Sequence, residues 1–352
     1  MTAPGELMRR EIAEQPDRWL DLVADRRAVD AAAEFLRDRL AAGRLSGLVF
    51  AARGTSDHAA VYAQYLAQAL LGLPAAMATP SVATVYGRNV HDPNSCLVAV
   101  SQSGASPDLI ATLESARARG GPTIAFTNDP GSPLALAADV HVPLLAGPER
   151  SVAATKSYTA ELIALHMWLR AVAGDPAGRV DADIRALAEH GRTVIRRSAG
   201  LAPDLAERLA DADRALLIGR AFGAATAREG ALKLMETSSI AASGWSAADA
   251  KHGPLAAVTT GTPVFCFVGE RTGRASVEAL LPDLYGRGAD VHLIGNDPEG
   301  SGLAGILPPD VADELLPVLS IVPVQSLALE LALRKGLDPD RPLGLTKVTR
   351  TT

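Results

Sequence analysis

Cysteine is scarce in this 352-residue chain, which carries only Cys96 and Cys266. Two thiols so far apart exclude a disulfide scaffold or a zinc knuckle, and both stand in apolar runs that suit small core residues. A cytoplasmic location is the expectation for such a chain. Positive charge is not in excess either. Lys and Arg number 34 against 40 Asp and Glu, a formal charge of −6, so no nucleic-acid partner is expected. No apolar region follows Met1-Thr2-Ala3-Pro4-Gly5-Glu6, so no signal peptide is read there. The longest uncharged stretch, Ala59 to Gly87, is broken by Gln64, Gln68 and Gly72-Leu73-Pro74. A bilayer span needs about 20 unbroken apolar residues; a buried helix, a turn and a strand are expected instead, with no membrane partner.

Several chemical signatures are also missing. There is no Walker pattern and no Gly-x-Gly-x-x-Gly after the first strand, so nucleotide binding is not supported. No Gly-x-Ser-x-Gly elbow points to a serine hydrolase. Among seven histidines, no pair has metal-ligand spacing with a third ligand nearby, and no metal is expected.

What is present is ample core material, with 48% hydrophobic and 21% charged residues. At roughly 150 residues per domain, the length suggests two units. Residues 7–45 read as a helical preamble. Gly47-Leu48-Val49-Phe50-Ala51-Ala52 is then an unalternating apolar strand of the kind found in a parallel sheet covered on both faces. The pattern continues as helix 58–71, strand 74–78, strand 96–100, helix 107–118, strand 122–126, strand 140–144 and helix 155–173. Alternating strands and helices predict a doubly wound α/β fold.

The second half echoes the first. Leu97-Val98-Ala99-Val100 leads through a polar loop and a helix to a strand ending in Asn128-Asp129; Pro263-Val264-Phe265-Cys266-Phe267 leads likewise to Asn296-Asp297. The Asn-Asp pairs stand 168 residues apart, and the same shift lays Leu48-Val49-Phe50 on Leu216-Leu217-Ile218. Two copies of one α/β unit are expected, joined by a helical stretch over 180–212.

The first copy carries Ser101-Gln102-Ser103-Gly104-Ala105-Ser106-Pro107 directly after an apolar strand. Pro107 suits the first turn of a helix. Orphan N–H groups there, the helix dipole and three serine hydroxyls suit a phosphate monoester. Thr55 and Ser56, after the first strand, fall at the C-terminal edge of the same sheet, where α/β proteins bind ligands. Ordinary N-capping by serine is the competing reading. The second copy has Gly269-Glu270-Arg271-Thr272-Gly273 at the equivalent loop. Glu270 would repel a phosphate, so one phosphate site per chain is expected.

Glu229, Lys233 and Glu236 fall at i, i+4 and i+7 on a helix and share a face. A solvated salt-bridge ladder is the commoner meaning of that spacing; Glu236 as base with His252 as acid is the chemical alternative. His252 precedes the loop punctuation Gly253-Pro254, which predicts an exposed ring. Gly230 inside the helix hints at close packing or ligand approach.

At these residues the chain resembles the sugar isomerase (SIS) superfamily. Within it, the chain is similar to the isomerase half of glucosamine-6-phosphate synthase and to stand-alone SIS-type glucosamine-6-phosphate deaminases. The resemblance spans about residues 7–352. It rests on Gly54-Thr55-Ser56, Ser101-Gln102-Ser103-Gly104, Ala153-Ala154-Thr155-Lys156, Glu229-Gly230-Ala231-Leu232-Lys233, Lys251-His252-Gly253-Pro254 and Leu345-Thr346-Lys347. It implies two tandem flavodoxin-like SIS domains, parallel sheets flanked by helices. An N-terminal helical segment (1–46) would precede a phosphate-binding domain (47–178). A linker helix with the second domain (179–335) and a C-terminal tail (336–352) would follow.

By the same resemblance, Thr55, Ser56, Ser101, Gln102, Ser103 and Ser106 would hold a sugar phosphate, with the backbone near Val152 lining the site. Glu236 would move a proton between C1 and C2. His252 would assist ring opening, in the family sometimes from the neighbouring subunit. Lys233 would lie near O1 and O2, and Lys347 would close over the sugar with a mobile tail. A homodimer with a shared active site is implied. No cofactor is expected, because an open-chain sugar already has the carbonyl that acidifies its neighbouring C–H. The pattern departs at Ala105, Ser106 and Ala154, where the family carries Glu, Thr and Ser. A glutaminase domain with a leading cysteine nucleophile is not expected before the sugar domain. The expectation is therefore deamination of glucosamine 6-phosphate to fructose 6-phosphate and ammonia. Alternatives are a deglycase of a 6-phosphorylated sugar–amino acid adduct, an ammonia-dependent synthase, and a sugar-phosphate sensor.

Overall fold

The computed structural model describes residues 3–347. They divide into two compact units. One comprises residues 17–149 and 156–185 and holds the first copy; the other comprises 3–16, 150–155 and 186–347 and holds the second.

Two helices, α1 (Glu6–Ala24) and α2 (Arg27–Ala41), replace the single helical stretch read from the sequence. The chain breaks at Asp25-Arg26, where the Arg26 guanidinium binds Asp30 at 2.9 Å and also takes Asp181. Within the first copy follow β1 (Gly47–Ala51), α3 (Thr55–Leu71), β2 (Ala75–Met77), α4 (Pro80–Thr84), β3 (Ser95–Ser101), α5 (Pro107–Ala118), β4 (Thr123–Thr127), α6 (Pro133–Ala137), β5 (Val140–Pro143) and α7 (Lys156–Val172). The sheet order is β2-β1-β3-β4-β5, all parallel, which is the flavodoxin-like order. Every residue of β3 and β4 is buried, because helices cover both faces. That is why these strands read as continuous apolar runs rather than alternating ones. Gly72 ends α3 in the left-handed region at φ +63°, as a glycine C-cap does. It turns the uncharged stretch 59–87 into α3, β2 and α4. Phe126 meets Trp168 edge-on at 5.4 Å in the core.

The long α8 (Ala177–Arg208) carries the chain onward. The second copy then has β6 (Arg214–Gly219), α9 (Phe222–Ser238), β7 (Ala241–Ser246), α10 (Ala247–Ala250), a 3-10 turn, β8 (Pro263–Phe267), α11 (Arg271–Glu278), α12 (Leu281–Gly286), β9 (Asp290–Ile294) and α13 (Leu316–Arg334). Its parallel sheet has the order β7-β6-β8-β9, the first sheet's order without its last strand. The 168-residue repeat is therefore structural. The edge strand β7 has no apolar alternation and was not legible; its Gly244 leaves room for the backbone of Ala227, which an added Cβ would approach to 2.4 Å. Helix α13 is long and apolar enough to cross a membrane, yet 89% of its most apolar window is buried, so it is the packed core helix of its unit. Cys96 and Cys266 are free and buried, and burial pushes the Cys266 thiol up to about 12.

Candidate active site

In the first copy, β3 delivers Ser101 to the C-terminal edge of the sheet. The loop after it is braced by backbone bonds. The Asn128 N–H donates to Gln102 O at 3.1 Å and the Leu134 N–H to Gly104 O at 3.0 Å. The Ser101 hydroxyl accepts from the Gly104 N–H at 3.2 Å and the Ser103 hydroxyl from the Ala105 N–H at 3.3 Å. Gly104 has φ +60°, and a Cβ there would stand 2.1 Å from Ser132 Oγ, so no side chain fits.

Ser106 occupies the N-cap of α5 but makes no side-chain cap bond. Its hydroxyl is not spent on the ordinary capping that the sequence also allowed. Pro107 follows at the first helical position, as read. Gln102, Ser103 and Ser106 are half-buried, and Ser101 is buried. Thr55 opens α3, after Gly54 at φ +55°. The Ser56 hydroxyl, in contrast, donates to the buried carboxylate of Glu161 at 2.7 Å, which commits its proton inside the protein.

A pair that spacing does not reveal binds the two loops together. The Arg53 Nε donates to Asp108 Oδ2 at 2.8 Å, and Asp108 is buried at the start of α5. It ties the loop after β1 to the helix after β3 and places a guanidinium on that edge of the sheet.

In the second copy, α9 carries the titratable groups. Glu229 and Lys233 have fully buried side chains, and the Glu236 side chain is 22% exposed. The solvated ladder is thus corrected to a buried triad. Lys233 Nζ donates to Glu236 Oε2 at 2.6 Å and lies 3.3 Å from Glu229 Oε1. Burial opposes the ammonium charge, but Glu229 and Glu236 outweigh it and hold the lysine pKa above its ordinary value. One cation between two carboxylates leaves a net negative charge, with Glu236 at its open end. The triad is fixed from behind: an added Cβ on Gly230 would meet Leu217 Cδ2 at 2.7 Å and Val324 Cγ1 at 3.2 Å, so close packing explains this glycine. The Thr237 hydroxyl donates to Lys233 O at 2.9 Å and lies 3.1 Å from Ala328 O.

His252 follows α10 in a turn closed by Gly253 at φ +145° and is exposed. Lys347 Nζ donates to Ser151 O at 2.7 Å, which brings the tail lysine to the segment that holds Val152. The Val152 N–H donates to Asp340 O at 3.1 Å, so it is engaged by the tail. The buried Asp340 also accepts the N–H groups of Leu7 and Met8 at 3.0 and 2.8 Å. The tail is therefore anchored through Asp340, and only the part after it is exposed enough to act as a lid. Residues 348–352 of the expected lid lie outside the described residues.

Among the described residues, no group of three His, Cys, Asp or Glu side chains is placed to hold a metal ion. His141 and His292 lie in strands, His166 and His190 in helices, as read. Burial, then the charge of Arg170, pushes His166 down to about 3, so it is a neutral core residue.

The SIS domain matches residues 46–171 and again 208–305. A protein of Pyrobaculum aerophilum named glutamine–fructose-6-phosphate aminotransferase (isomerizing) is 34% identical over 97% of this chain and 56% of its own length; the chain spans little more than half of that relative. A provisionally assigned phosphosugar isomerase from Silicibacter pomeroyi superposes with TM-score 0.84 at 32% identity, covering 95% of this chain and 99% of the other. A glucosamine-6-phosphate deaminase from Thermotoga maritima shares the fold, with TM-score 0.77 at 20% identity over 98% of this chain and 100% of its own. The chain belongs to the SIS domain family, with two copies of that domain.

Proposed function

We propose that this chain is an aldose–ketose isomerase of amino-sugar phosphates, deaminating glucosamine 6-phosphate to fructose 6-phosphate and ammonia. The observation that carries the reading is the triad on α9: a carboxylate at the open end of a helix face, held by a buried ammonium. Enolisation of a carbonyl sugar needs a positioned base of ordinary strength and no redox partner.

In the open-chain aldehyde, Glu236 takes the C2 proton, leaving an enolamine. It returns the proton to C1, which gives an imine at C2. Water adds to that imine, ammonia leaves, and the ketone remains. Lys233, buried between Glu229 and Glu236, positions the Glu236 carboxylate rather than meeting O1 itself. His252 carries the proton from the C1 hydroxyl to the ring oxygen when the pyranose opens. Its exposure supports service to a second copy of the chain in a homodimer. Ser101, Gln102, Ser103 and Ser106, with Thr55, hold the phosphate. Ser56 supports them through Glu161 rather than by donating to the ligand. Lys347 and the Val152 segment close over the sugar.

Supplying glucosamine 6-phosphate and measuring ammonia and fructose 6-phosphate tests this. Equal release of both is expected; binding without release would count against deamination. The name of the Pyrobaculum aerophilum relative favours one second reading, the same chemistry run from ketose and ammonia towards the amino sugar. Rates in both directions at varied ammonia separate the two.

A further inference from the structure

The 168-residue shift lays Glu270 on Gln102, in the loop between β8 and α11. Glu270 stands at the N-cap of α11 but makes no side-chain bond to that helix. Its carboxyl group instead lies against the backbone N–H groups of Phe222 and Gly223, the first residues of α9; the Gly223 N–H also donates to Arg220 O at 3.0 Å. An added Cβ on Gly223 would stand 3.0 Å from Glu270 Oε1, so this glycine leaves the space the carboxyl fills. Glu270 is 7% exposed, and its Oε2 has no hydrogen-bond partner among the described residues.

The backbone around it is shaped for an anion. Ala221, just before α9, has φ +51°, and Gly54, just before α3, has φ +55°. Residues with a side chain rarely adopt that region, so the second copy keeps the first copy's turn even without a glycine. The turn aims the α9 N–H donors and the positive end of the helix dipole at the loop. Asp313 is already occupied: it accepts the N–H groups of Arg271 and Thr272 at 3.0 and 2.8 Å and the Thr272 hydroxyl at 2.7 Å. Burial, followed by the charge of Asp313, pushes the Glu270 carboxyl above its ordinary value, against the pull of the two N–H groups.

We propose that the second copy retains a site for a small oxyanion at the start of α9, and that the Glu270 side chain is its built-in occupant. The class of ligand is a phosphate or a short carboxylate. Cutting the side chain back opens the site to such an ion from solvent. The occupant also fixes the first turn of the helix that carries Glu229, Lys233 and Glu236.

The test is an inorganic phosphate titration of wild-type and E270S protein, with amide exchange followed at Phe222 and Gly223. E270S is expected to bind one phosphate more per chain than wild type. Its two amides should exchange at least tenfold faster without phosphate and recover protection with it. E270Q, which still fills the site, should keep the wild-type count. Should E270S fail to fold, E270D, one methylene short of the donors, should show the same faster exchange, reversed by formate. An unchanged phosphate count, or an added phosphate that leaves both amides unprotected, overturns the proposal. The count is a difference between variants, so failure of the sugar-phosphate reading would change both values together and leave this comparison intact.

Discussion

The strands β1, β3 and β4 of the first copy and β6, β8 and β9 of the second share one parallel order, yet the loops that follow them carry opposite chemistry. After β3 come hydroxyls, and Gly104 lets the loop pack against Ser132. After β8 comes a carboxyl group turned onto the start of α9. The topology decides where N–H donors converge, and the side chains decide whether the anion comes from solvent or from the chain. The helix after the first strand differs too. In α3 the buried hydroxyl of Ser56 leans on Glu161; in α9 a lysine is locked between two glutamates. Under the proposed function, the first copy would supply the phosphate-binding hydroxyls and the second the proton carrier.

The largest effect should come from removing the proton carrier. E236Q is expected to lower turnover by about 10³-fold, within the range of general acid–base catalysis, while sugar-phosphate affinity is largely kept. Steady-state rates and calorimetric titration check both halves. A loss of binding equal to the loss of rate would erase the division between the copies.

Next comes the buried cation. K233M leaves Glu229 and Glu236 facing each other without an ammonium, and breaking a buried pair costs about 3–5 kcal/mol. Urea unfolding should show that loss, and the E229Q/K233M double variant should recover part of it.

Each copy also holds a buried titrating group, and the two tilt stability in opposite directions. His166 in the first copy falls to about 3 from an ordinary 6.5. The folded chain therefore binds fewer protons between those values, and stability drops as pH falls through that window. The Glu270 carboxyl is raised from 4.5. Its contribution is full below about 4.5 and fades as pH rises through the raised value. H166Q should flatten the acid limb of a stability–pH curve, and E270Q should remove the loss on the side above 4.5. The reverse assignment would overturn the burial argument for both.

The smallest effect is expected at the phosphate loop. S103A should weaken sugar-phosphate binding by about ten- to a hundredfold, the worth of one hydrogen bond to a charged group, and leave turnover at saturation nearly unchanged. T272A, in the equivalent loop of the second copy, should not change sugar-phosphate affinity at all.

Much of this was legible because burial leaves a pattern. The apolar runs at Leu48–Ala51 and Leu97–Val100 mark buried parallel strands, and the Asn-Asp pairs mark the repeat. Helix α5 begins at Pro107 and ends at Ala118, as the proline signal predicts. What escaped was whatever depends on partners distant in sequence. The spacing of Glu229, Lys233 and Glu236 is the same on a solvated face and in a core; only packing against β6 and α13 separates the two. Arg53 and Asp108, like Ser56 and Glu161, meet across the fold with no local signature. Glu270 was read as a charge that repels phosphate; its use as a substitute for phosphate depends on the backbone of α9.

Proton transfer can be followed without ammonia in either direction. Fructose 6-phosphate incubated with the protein in D₂O should acquire deuterium at C1, read by NMR. The account predicts incorporation with the wild-type chain and none with E236Q, although E236Q still binds the sugar phosphate. Incorporation that continues in E236Q at the wild-type rate, or that is absent from a wild-type chain that binds the sugar, would contradict it.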